Sequence, residues 1–159
     1  MLIRPIEERD LPAFEKLFCD YYRELDCEEA PLPLFPDCLL PDLKAGLFEV
    51  GVAEVGGVSA GFVIFQIDDI INDWNFKEGC GDVRELYVAP AYRRQGYGSA
   101  LLAFAEKRLA ELGATEIYTL PLEENESFFA ARGYFDGGEY CAEADNKVFI
   151  KNIDKTDKI

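Results

Sequence analysis

The sequence predicts an α/β (α+β) domain, with a mixed, mostly antiparallel central sheet flanked by helices. Three observations predict it. Two strand-like runs, 47–55 and 58–68, face each other across Gly56-Gly57, a pair that favours tight hairpin turns. An amphipathic stretch, 98–112, stands between two further strand-like runs, 83–88 and 116–120, the pattern of a helical crossover in a sheet. Two last runs, 135–143 and 147–153, read as closing strands.

Taken in order, residues 2–6 read as a first strand. Asp10 is placed to cap a helix, with Pro12 tolerated in its first turn. Leu11, Phe14, Leu17, Phe18, Tyr21 and Leu25 then recur at helical spacing. Prolines at 31, 33, 36 and 41 make 30–41 a loop, with a short helix only near 38–45. After the hairpin, 70–81 is polar and reads as loop, and strand 83–88 stops at Ala89-Pro90. In helix 98–112, Leu101, Leu102, Ala105, Leu109 and Leu112 form one face, Glu106, Lys107 and Glu111 the other, and Gly113 caps the end. A short helix is expected over 125–132. Residues 1–153 read as a single domain and 154–159 as a short polar tail.

Composition narrows the function classes. A formal charge of −15 leaves no basic stripe for displacing counterions from nucleic acid, and it repels anionic lipid. No apolar run approaches the roughly 18 residues of a membrane span. The start, Met1-Leu2-Ile3-Arg4-Pro5-Ile6, is not that of a signal peptide, so a cytoplasmic location is the expectation. Histidine is absent and the five cysteines, at 19, 27, 38, 80 and 141, form no CxxC pair. Neither a metal site nor a disulfide framework is expected; buried thiols are.

The informative run is 83–99, Val-Arg-Glu-Leu-Tyr-Val-Ala-Pro-Ala-Tyr-Arg-Arg-Gln-Gly-Tyr-Gly-Ser. A strand ends at a proline, a basic turn follows, then Gly96 and Gly98, then the helix. The first amides of a helix have no intrahelical partner and carry a partial positive charge, which suits a phosphate. Glycine removes side chains that would hold an anion away, and Arg93 and Arg94 add charge-assisted donors. A Walker A loop is excluded because no Gly-Lys-Ser/Thr tripeptide occurs. The dinucleotide fingerprint is excluded because Leu101 stands where its third glycine belongs.

Arg93-x-x-Gly96-x-Gly98 resembles the (Arg/Gln)-x-x-Gly-x-(Gly/Ala) signature of the GNAT superfamily of N-acyltransferases. Glu85-Leu-Tyr-Val-x-Pro-x-Tyr-Arg-Arg-x-Gly-x-Gly-Ser-x-Leu-Leu agrees with that family throughout. Ile3-Arg4-Pro5 with Asp10-Leu11 is similar to its start, and Phe128-Phe129-x-x-x-Gly133-Tyr134 to its second signature. The resemblance implies that acetyl-CoA is the cosubstrate. Its pyrophosphate would lie on the amides of Arg94, Gln95, Gly96, Tyr97, Gly98 and Ser99, with Arg93 beside it, and its pantetheine arm along Leu86, Tyr87 and Val88. Asn125 and Phe128 are the cofactor-binding positions of the second signature. Two departures stand out: Phe129 occupies the place of a tyrosine that can protonate the leaving thiolate, and Asn125 lies only four residues before it.

An alkylamine with a pKa near 10.4 is only about one part in 10³ nucleophilic at neutral pH, so a base is worth having. Without histidine, Glu85 is the candidate, on the strand the thioester should follow. Its other readings are a surface glutamate or a partner for Arg84 or Arg93. A thiol pKa near 8.5 lies within about two units of neutrality, so the leaving group demands less. Tyr134 or Tyr118 could supply that proton, or each could simply be core. Trp74, Asp69 and Asp73 are candidates to line an acceptor pocket. The acidic crowd Asp68, Asp69, Asp73, Glu78 and Asp82 otherwise reads as a solvated loop.

The expectation is therefore acetyl transfer from acetyl-CoA to a primary amine of a small molecule or peptide, by direct attack in a ternary complex. No metal, nucleic acid or membrane is involved, and a homodimer is left open. The rival expectation, kept alive by Phe129, is a non-enzymatic acyl-CoA-binding sensor.

Overall fold

In the computed structural model, residues 1–25, 35–69 and 75–153 are described. Their strands are β1 (Leu2–Pro5), β2 (Glu49–Val55), β3 (Val58–Ile67), β4 (Gly81–Val88), β5 (Glu116–Thr119), β6 (Phe135–Cys141) and β7 (Asn146–Asn152). The helices are α1 (Leu11–Glu24), α2 (Leu40–Lys44), α3 (Tyr97–Glu111) and α4 (Glu126–Ala130). The strands form one seven-stranded sheet in the order β1-β2-β3-β4-β5-β7-β6. The pairs β1/β2, β2/β3, β5/β7 and β6/β7 are antiparallel and β4/β5 is parallel, as the mostly antiparallel prediction requires. Backbone contacts group the chain into two compact units, Met1–Phe65 with Glu85–Ala105, and Gln66–Arg84 with Glu106–Ile159.

The first unit is built on an aromatic core. The apolar face of α1, Phe14, Leu17 and Phe18, is buried with Val50, Val52, Phe62, Ile64 and Tyr87. Phe14 packs edge-on to Phe62 at 5.1 Å and to Phe35 at 5.5 Å, a geometry that aligns ring edge with ring face. Complete burial of each such ring is worth about 1.5–3 kcal/mol. Gly61 marks a close backbone approach: a Cβ there would lie 2.4 Å from the Tyr87 carbonyl oxygen.

One expectation is corrected here. Asp10 does precede α1, but its side chain makes no capping bond to that helix. It accepts instead from the Glu7 amide at 2.8 Å and from Arg4 at 2.6 and 2.9 Å. The half-buried guanidinium of Arg4, which also binds Glu54 at 2.6 Å, is a stronger donor than a helix amide.

In the second unit, Tyr118, Cys141 and Val148 form a small core with Leu120 and Ile150 against it. Gly81 lets Leu109 and Ile117 close over β4, since a Cβ would meet them at 3.0 and 3.1 Å. The parallel β4/β5 ladder joins Gly81 to Ile117 and Asp82 to Tyr118. Among the described residues Cys19 and Cys141 are buried free thiols, whereas Cys80 is half-buried and Cys38 exposed, which corrects the expectation of buried thiols for those two; Cys27 lies outside the described residues. Among the described residues no helix is long and apolar enough to cross a membrane.

Candidate active site

The turn from β4 to α3 owes its shape to local chemistry. Pro90–Tyr92 form one tight helical turn, and Ala89 is tied back to β3 by its amide to the Ala60 carbonyl at 2.9 Å. Arg93 is extended, Arg94 is left-handed at φ 62°, and Gly96 is left-handed at φ 87°. The two left-handed residues reverse the chain into α3, whose first backbone bond runs from Ala100 N to Gly96 O at 3.1 Å. A Cβ built on Gly96 would meet nothing within 4 Å, so the space beside the helix start is open to a ligand. Arg93, Arg94, Gln95 and Gly96 are exposed, Tyr97 is buried, and Gly98 and Ser99 are half-buried. An exposed arginine and a left-handed glycine beside an open helix start are the features an anion site needs.

Along β4, Leu86 and Val88 are half-buried and Tyr87 is buried. Glu85 is half-buried, and its Oε2 accepts a hydrogen bond from the Tyr21 hydroxyl. Of the alternative partners expected for Glu85, Arg84 donates to Gln66 Oε1 at 3.0 Å and Arg93 to Glu24 at 2.7 Å.

In the second unit, Asn125 is exposed at the N-terminus of α4 and makes no side-chain cap. Phe128 and Phe129 pack edge-to-face at 5.1 Å, and the Arg132 guanidinium lies 3.7 Å from the centre of the Phe128 ring. Phe129 is buried and packs on Tyr134 at 5.5 Å. Tyr134 is only 3% exposed, and its hydroxyl makes no hydrogen bond among the described residues. Burial and the nearby Glu106 carboxylate push its pKa far above the usual phenol range, which keeps the proton on oxygen. Lys151 neutralises Glu106 at 2.9 Å.

The acidic crowd is not uniformly solvated, which corrects that reading. Asp68 and Asp82 are buried, while Asp69 and Glu78 are exposed. Asp68 accepts from Gln66 at 3.0 Å, from the Phe76 and Lys77 amides at 2.9 and 2.8 Å, and from the Tyr118 hydroxyl at 2.5 Å. A buried carboxylate needs such partners, and these draw it inside. Burial, reinforced by Asp82 and Asp68, raises the Tyr118 pKa far above its usual value. Trp74 and Asp73 lie outside the described residues.

The sequence model of the Acetyltransferase (GNAT) family matches residues 11–135. The chain belongs to that family. None of the curated proteins compared matches it by sequence. Among solved structures, it is similar to a GCN5-related N-acetyltransferase from Ralstonia eutropha JMP134, at 26% identity and TM-score 0.69, over 88% of this chain and 95% of that one. It is also similar to the PaiA N-acetyltransferase of Thermoplasma acidophilum, solved with coenzyme A, at 19% identity and TM-score 0.72, over 96% and 98%. A third is the N-acetylglutamate synthase of Neisseria gonorrhoeae, complexed with coenzyme A and N-acetyl-glutamate, at 17% identity and TM-score 0.71. That match spans 97% of this chain and 35% of the synthase.

Two residues of this GNAT chain escaped sequence reasoning. Tyr21 and Glu24 stand three apart on α1, and they meet Glu85 and Tyr87, two apart on β4. Tyr21 fits the apolar period of its helix and reads as core. Only docking of helix on strand brings its hydroxyl to the Glu85 carboxylate.

Proposed function

We propose that this GNAT acetyltransferase moves an acetyl group from acetyl-CoA to a primary amine, by direct attack in a ternary complex. The observation that carries the reading is the turn at Gly96: an open, left-handed glycine at the start of a long helix, directly after β4. When bound, acetyl-CoA supplies the activated acyl group as a thioester. The amides that follow Arg94 hold the pyrophosphate, and the exposed guanidinium of Arg94 adds charge. Residues 86–88 present strand backbone to the pantetheine arm. The described β4/β5 ladder, at Gly81 and Asp82, lies at the other end of the strand, which supports that use. The Val88 amide is the donor proposed for the developing oxyanion.

Glu85 takes a proton from the substrate ammonium, directly or through a bridging water, the neutral amine that results attacks the thioester carbonyl, and the Tyr21 hydroxyl orients the Glu85 carboxylate. The leaving thiolate needs no strong acid, so the phenylalanine at 129 is compatible with turnover. Tyr134 is the nearest tyrosine in sequence to that position, but its burial favours a packing role. The acceptor proposed is a small cationic amine, concentrated by the acidic surface, with Asp69, Asp73 and Trp74 near its second charge.

A thiol-release assay with acetyl-CoA and a broad panel of amines tests this. Turnover on cationic amines is expected. Tight binding of CoA with no turnover on any amine would overturn the enzyme reading in favour of a sensor.

A further inference from the structure

Three groups meet at the C-terminal end of α1. Glu24 is the last residue of that helix. Its Oε1 accepts from the Tyr87 hydroxyl at 2.7 Å, and its Oε2 from Arg93 Nη2 at 2.7 Å. Arg93 also turns its Nε to the Val88 carbonyl at 2.8 Å, and its guanidinium lies 5.5 Å from the centre of the Tyr87 ring. The arginine of the signature is therefore bound to its own chain on two sides. Any phosphate would compete with a carboxylate already in place. Burial acts to raise the Glu24 pKa, but Arg93 and Tyr87 outweigh it and hold the group below its usual range, so it is ionised at neutral pH. The pair is 42% and 41% exposed, so it adds little to global stability. What it can do is fix local geometry: it locks the end of β4 to the first residue of the turn.

We propose that Glu24 is a positioning residue for the cofactor loop and that Arg93 is its strut rather than a phosphate ligand. Glu24 holds Arg93 and Tyr87, Arg93 holds the Val88 carbonyl, and together they set where the turn leaves the strand. The amides after Gly96 then point at the phosphates without help from Arg93. This rests on the proposed CoA reading, and it assigns the side-chain charge of the site to Arg94.

The sign of one substitution separates this from simple electrostatics. Removing a carboxylate near an anion site strengthens anion binding if charge alone matters. Loss of positioning weakens it. CoA is titrated calorimetrically into the wild-type chain, Glu24→Ala, Arg93→Ala and the double variant, and the ligand-free melting temperature of each is recorded. We expect both single variants to bind CoA roughly tenfold more weakly, the size of one charge-assisted hydrogen bond. The double variant should be no weaker than either single one. Ligand-free melting should barely move, and at saturating acceptor the KM for acetyl-CoA should rise by a larger factor than kcat falls. Unchanged or tighter CoA binding in Glu24→Ala, or additive losses in the double variant, would overturn the positioning role alone. A wild-type chain that binds no CoA would remove the reading of the whole site, and this inference with it.

Discussion

Gly96 sits at φ 87°, where any side chain is strained, and the space beside it is open. Gly96→Glu should therefore abolish the rise in melting temperature that CoA gives the wild-type chain, since a native-state ligand must stabilise it. A shift of unchanged size in that variant would place the phosphates elsewhere. Glu85 offers the second test at this scale. If it is the base, Glu85→Gln should lower kcat/KM by about 10²–10⁴ and leave CoA affinity nearly intact. The acidic limb of the pH–rate profile should flatten with it. Tyr134 makes the opposite case: its hydroxyl is buried beside Glu106, and its raised pKa makes it a reluctant donor. Tyr134→Phe should cost less than about tenfold in kcat, or 1.4 kcal/mol. A thousandfold loss would identify it as the acid after all.

Among the elements, the N-terminal end of α1 is held by Asp10 and Arg4, and the end of β3 by Asp68. The Arg4 guanidinium keeps the Asp10 carboxyl below its ordinary value of 3.8, against the effect of burial. A depressed carboxyl contributes stability that is present above its unfolded pKa and lost as pH falls through the folded one. Melting curves should therefore show wild-type stability declining below about pH 4 partly through this pair. Asp10→Asn should lower stability by about 1.5–3 kcal/mol at neutral pH and lose that portion of the acid dependence. At the far end of β3, Tyr118→Phe takes one donor from the buried Asp68. It should destabilise by about 1–3 kcal/mol while kcat changes little. A stable variant with collapsed turnover would instead give that hydroxyl a catalytic part.

Over the whole molecule, the formal charge of −15 acts at long range. If the acceptor is a cationic amine, kcat/KM should fall steeply between roughly 0.01 and 0.15 M salt, as the screening length shrinks from about 30 to 8 Å. Diamines should outperform monoamines of equal length, because carboxylates that bind the reacting amine would also raise its pKa. Asp68 and Asp82 are buried, so the double variant Asp69→Asn with Asp73→Asn is the proper probe, and it should raise KM more than it lowers kcat. Better turnover of neutral amines, or indifference to salt, would reduce the acidic surface to a matter of solubility.

The sequence by itself determined the order of strands and helices, the hairpin at Gly56-Gly57, the crossover through α3 and the glycine turn that precedes it. Each is written in neighbouring residues: alternation or helical period for the elements, glycine where the backbone must turn left-handed. Boundaries moved by a residue or two, as with α3 starting at Tyr97 rather than 98, because helix ends depend on individual hydrogen bonds. Only the tertiary structure decided which polar side chains are partners. Asp10 reads as a helix cap until Arg4 is brought beside it, and Asp68 reads as solvated until Gln66, Tyr118 and two amides enclose it. Arg93 has no partner legible in the sequence, and Glu24, 69 positions away in the chain, is the carboxylate it reaches. Hydrophobic period survives in one dimension because burial is a property of a face. A hydrogen bond between distant residues does not, because it depends on distance and direction that exist only once the elements have docked.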